Sequence, residues 1–84
     1  MQNNAVPFAT LQRVLEGLGF VKTQVPGSHL VFEHPASDTV FLFRLYKPRE
    51  KVTATDLIGV RKILDERGIV APEALDELLH QPSS

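Results

Sequence analysis

The 84-residue sequence contains no cysteine. That excludes a disulfide framework and a thiolate metal site, and it fits a reducing cytosol. Long apolar runs are also missing. No stretch approaches the roughly 20 residues that span a membrane, so no membrane partner is expected. The opening residues, MQNNAVPFATLQ, carry no basic segment followed by an apolar stretch. No signal peptide is expected, and a cytoplasmic location is. Charge of one sign is scarce as well. The formal net charge is -1, which argues against a strong general affinity for polyanions. Neither GxGxxG nor a P-loop is present, and Ser28 lacks the GxSxG elbow of a hydrolase. The histidines form neither HxH nor HxxxH, and no carboxylate pair flanks them. Neither a metal nor another cofactor is expected.

What charge there is falls unevenly. Up to Lys62 the basic residues outnumber the acidic ones. From Ile63 onward, Arg67 stands against Asp65, Glu66, Glu73, Asp76 and Glu77. A mildly basic middle can offer a local face to a phosphate. Taken alone, such blocks are ordinary solvated surface.

At this length the chain makes one domain, 1–84, which buries roughly 60% of its unfolded surface. Its core is expected over about 7–79, with a loose tail at 80–84. Leu11, Val14, Leu15 and Leu18 recur at helical spacing, which predicts a helix from about Pro7 to Leu18 stopped by Gly19. FVKTQV reads as a strand, Pro26–Gly27 as a turn, SHLVFEH as a second strand and TVFLFRLY as a third. In the second strand Leu30 and Phe32 share one face, and His29, Val31 and Glu33 the other. The third strand is apolar on both sides, with Val40 and Leu42 opposite Phe41, Phe43 and Leu45. With helices on one side of the sheet only, its second face is left for a partner, including a copy of itself.

KPREK reads as a charged loop. Thr53 is expected to cap the next helix with Asp56 as its reciprocal partner, and Val52 with Leu57 as a staple. Leu57, Val60, Ile63 and Leu64 form the buried stripe, and Gly68 ends the helix. A short last helix runs from about Pro72 to Leu79. The expected fold is α+β in the order α-β-β-β-α-α, a three-stranded antiparallel sheet with helices on one face. Double-stranded-RNA-binding domains share this order.

The chemistry centres on His29, at the start of a strand just after a turn. An imidazole there can serve as general base or acid. It is equally the position of an exposed strand histidine with no role. With RNA as substrate, the chain's own 2′-hydroxyl attacks the adjacent phosphate once a base removes its proton, and a cation must stabilise the phosphorane. Lys22, Arg44, Lys47, Arg61 and Lys62 are the candidate cations. Arg44 shares a strand with the phenylalanines and has the best claim to the sheet. Ser28 and Gly27 are candidates to shape a phosphate pocket. His34 is expected to point away from His29 as a turn residue, and His80 has no role.

Together, LGF, GSHLVFEHP and VRKILDERGI resemble the HicA (YcfA-like) family of toxins in toxin–antitoxin systems. The matching positions are Gly19 and Phe20; Gly27, Ser28, His29, Val31 and Phe32; and Arg61, Ile63, Leu64, Gly68 and Ile69. The resemblance covers about Leu11 to Leu79. It implies a double-stranded-RNA-binding-like fold, metal-independent cleavage of messenger RNA, His29 as the catalytic residue, and a HicB-type antitoxin covering the active face. The chain differs in being slightly acidic, in its long YKPREKVTATD segment and in its acidic last helix. The alternative is a non-catalytic module that binds RNA or protein through the same face.

Overall fold

The structure, a computed structural model, describes residues 5–24 and 29–80. The expected Pro26–Gly27 turn, the candidates Gly27 and Ser28, and the tail from Gln81 lie outside them. Helix α1 (Phe8–Gly17) leads into strands β1 (Val21–Gln24) and β2 (His29–His34). A single 3-10 turn, Pro35–Ser37, joins β2 to β3 (Thr39–Arg44). Helices α2 (Ala54–Glu66) and α3 (Pro72–Leu79) follow. The strands form one antiparallel sheet in the order β1-β2-β3, as the period-two alternation predicts.

Both helix ends named in the motifs have the same physical cause. After α1, the Gly19 N–H donates to the Glu16 carbonyl at 3.1 Å and the Phe20 N–H to the Leu15 carbonyl at 3.0 Å. After α2, Gly68 and Ile69 repeat the pattern on Asp65 and Leu64, at 3.0 and 2.9 Å. This double bond pattern needs a left-handed residue just past the helix, and Gly19 and Gly68 have φ of 105° and 70°. The apolar residue after each glycine then folds back toward the core.

The start of α1 has no side-chain cap. The charged loop caps it instead with backbone. The Phe8 N–H donates to the Glu50 carbonyl at 2.8 Å and the Ala9 N–H to the Pro48 carbonyl at 2.9 Å. The Val52 N–H reaches the Val6 carbonyl at 2.8 Å. With proline at the N-cap, α1 has three orphan donors, on Phe8, Ala9 and Thr10, and two of them are satisfied by a segment some forty residues downstream.

Thr53 caps α2 as expected, its Oγ1 accepting from the Asp56 N–H at 3.2 Å. The reciprocal half of the box is relayed through Tyr46. The Thr53 N–H donates to the Tyr46 oxygen at 3.1 Å, and the Tyr46 hydroxyl donates to Asp56 Oδ2 at 2.6 Å. An aspartate is one methylene shorter than the glutamate of the usual box, and the tyrosine fills the gap.

The core joins all three helices to one face of the sheet. Phe8, Leu11, Leu15, Phe32, Leu64 and Leu75 are fully buried. Phe8 meets Phe32 and Phe43 edge-on, at 6.1 and 5.6 Å between centroids, and stacks on Tyr46 at 4.9 Å. Phe41 and Phe43 belong to this core, so self-association through these two side chains is ruled out. The apolar residues of β3 left exposed on the other face are Val40 and Leu42. β3 ends at Arg44, two residues short of the expected TVFLFRLY, and Leu45 is exposed beyond it rather than packed with the phenylalanines.

Candidate functional site: the open face of the sheet

Period-two alternation puts every second residue of each strand on the face away from the helices. The register lines these up in rows: Val21, Glu33 and Val40; Thr23, Val31 and Leu42; then His29 and Arg44. Val21, Val40 and Leu42 are 57%, 52% and 66% exposed. The middle of the face is therefore aliphatic, with an acid at one end and a histidine–arginine pair at the other.

His29 opens β2 and is exposed. Arg44 closes β3 directly across from it. The Arg44 guanidinium lies 4.1 Å from the centroid of the Tyr46 ring and bonds Glu50 Oε2 at 2.6 Å. The other oxygen of Glu50 accepts the Lys47 N–H at 3.1 Å. Arg44 holds the Glu50 carboxyl below its usual range, helped by that N–H, and Glu50 in turn raises the arginine. The loop thus brings Lys47 to the same end as His29 and Arg44.

The other candidate cations are elsewhere. Lys22 pairs with Phe32 in the register, which sets it on the helix side of the edge strand. Its Nζ lies 3.5 Å from Gln12 Oε1 of α1. Arg61 sits in the helical layer, where it bonds Asp76 of α3 at 3.2 Å. Lys62 is exposed on the same helix. These three do not share a face with His29.

His34 points inward, as expected. Its Nε2 is 3.1 Å from the Leu18 carbonyl and must donate to it, so a neutral ring accepts from Ser37 Oγ through Nδ1 at 2.7 Å. Ser37 Oγ is 2.7 Å from Thr39 Oγ1. This chain ties the end of α1 to the turn between β2 and β3, a structural role. His80 caps α3 on the helical side.

Sequence reasoning passed over Glu50 and Tyr46. Glu50 lies six residues from Arg44 across a loop, a spacing with no periodic signature. Tyr46 showed only as the end of an apolar strand. The one available hint was the short Thr53-x-x-Asp56 box, which needs a third group to close.

Among the described residues no group of three or more His, Asp or Glu converges as a metal site, and no helix is long and apolar enough to cross a membrane. Comparison of the chain with protein-family models, with curated proteins and with solved structures finds no match.

Proposed function

We propose that this chain is the toxin of a toxin–antitoxin pair, of the HicA type, and that it cleaves messenger RNA without a metal. The observation that carries the reading is the exposed His29 set across the β2–β3 register from Arg44. His29 acts as general base or acid. As base it takes the proton of a 2′-hydroxyl. The 2′ oxygen attacks the neighbouring phosphorus, the bond to the 5′ oxygen breaks, and that oxygen leaves with a proton from solvent or an acid. The products are a 2′,3′-cyclic phosphate and a 5′-hydroxyl. Arg44, with Lys47 nearby, offsets the charge of the phosphorane. Gly27 and Ser28 precede His29 and shape the phosphate pocket in this reading.

The aliphatic part of the face suits a protein cover, and a HicB-type antitoxin in the cytoplasm fits it. Purified, partner-free protein is expected to cleave single-stranded RNA in EDTA, and His29→Ala to lose that cleavage with the fold intact. A folded but inactive wild type, or an equally active variant, contradicts the reading.

One observation favours a second reading, a module that binds without cutting. The described residues of the open face include no phenylalanine, tyrosine or tryptophan, whereas platforms for single-stranded nucleic acid stack bases on such rings. In that case His29→Ala changes affinity alone. Binding of a protein or a second copy would then run through Val40 and Leu42.

A further inference from the structure

Arg44 is the cation opposite His29, and its guanidinium is already occupied. Glu50 takes one edge of it at 2.6 Å. The carboxylate is aimed by two backbone ties: Glu50 Oε1 accepts the Lys47 N–H at 3.1 Å, and the Glu50 carbonyl accepts the Phe8 N–H at 2.8 Å. The loop that caps α1 therefore also sets the position of this acid.

A carboxylate and a phosphodiester present the same pair of oxygens to a guanidinium. We infer that Glu50 is an internal competitor for the RNA phosphodiester at Arg44, lowering the affinity of the site until a substrate phosphate displaces it. The inference rests on the RNA reading above. Both partners remain open to solvent, with side chains 52% and 34% accessible. An exposed pair of this kind holds weakly, so a phosphate approaches and replaces it without disturbing the core. Tyr46 lies under the guanidinium and holds it at this end of β3 by cation–π attraction. Its own ring is fixed by stacking on Phe8 and by the bonds to Thr53 and Asp56.

The test is fluorescence anisotropy with a labelled single-stranded 2′-O-methyl RNA, whose blocked 2′ oxygen reports binding without cleavage, across a salt series. Glu50→Gln keeps an oxygen for the Lys47 N–H and removes the competing charge. It is expected to bind several-fold more tightly at low salt. Its plot of log K against log salt should be steeper, because added salt loosens the exposed Glu50–Arg44 pair and so relieves the competition in the wild type alone. Combining it with Arg44→Met should cancel both gains, because they depend on Arg44. Equal slopes for wild type and Glu50→Gln, or a gain that survives Arg44→Met, overturns the competitor and leaves the RNA reading standing. No RNA binding by any of the proteins overturns both.

Discussion

At the scale of single residues, the least replaceable backbone position among the described residues is Gly19. Its φ of 105° is one that side chains rarely adopt, and a Cβ there would lie 3.2 Å from His34 Nε2. Gly19→Ala is expected to cost about 1–3 kcal/mol and to loosen the bond from His34 to Leu18, both read by urea unfolding. Tyr46→Phe leaves the Thr53 N–H without its acceptor and Asp56 without its donor. A loss of about 1–2 kcal/mol is expected, centred on the start of α2. Glu50 gives the pH dependence. Its carboxyl titrates below the ordinary value of 4.5 in the folded protein. The pairing with Arg44 therefore contributes above that value and is lost as pH falls through the lower, folded one. The stability gap between wild type and Glu50→Gln should shrink as pH falls from around 4.5 through the lower, folded value; a constant gap contradicts the pairing. His29 and Arg44 were legible as candidates because strand alternation is local. Glu50 was not, because nothing local links it to Arg44.

At the scale of elements, β3 divides cleanly by alternation. Leu42 is 66% exposed, and its neighbour Phe41 is 8% exposed. Leu42→Ser is expected to change stability by less than about 0.5 kcal/mol, and Phe41→Ser to cost about 3 kcal/mol or more. Similar losses in urea unfolding would mean that both faces are covered. The order of elements was readable because each has its own period and stop: Leu11 and Leu15 at helical spacing, alternation in HLVFEH, glycine after each long helix. The same physics explains two of the three motifs behind the family resemblance. LGF and the GI that closes VRKILDERGI are the capped ends of α1 and α2, which any two such helices can share. The Gly-Ser-His stretch is the motif that capping does not explain. What local patterns left unread is the capping of α1 by carbonyls of Pro48 and Glu50, since backbone acceptors carry no residue signature.

At the scale of the whole molecule, the helices occupy one side of the sheet and leave the other open. That division sorts the candidate cations. Arg44 and Lys47 fall at the His29 end, while Lys22, Arg61 and Lys62 belong to the helical side. Composition counted all five alike, because distance along the chain says nothing about which side of a sheet a residue reaches. In the proposed reaction His29 directs attack by the RNA's own 2′-hydroxyl. It is tested most directly by mass spectrometry of the RNA ends left by purified protein in EDTA, beside His29→Ala. The expected outcome is 2′,3′-cyclic phosphates and 5′-hydroxyls from the wild type and intact RNA from the variant. Intact RNA from folded wild type, or ends with a 3′-hydroxyl and a 5′-phosphate, would contradict it.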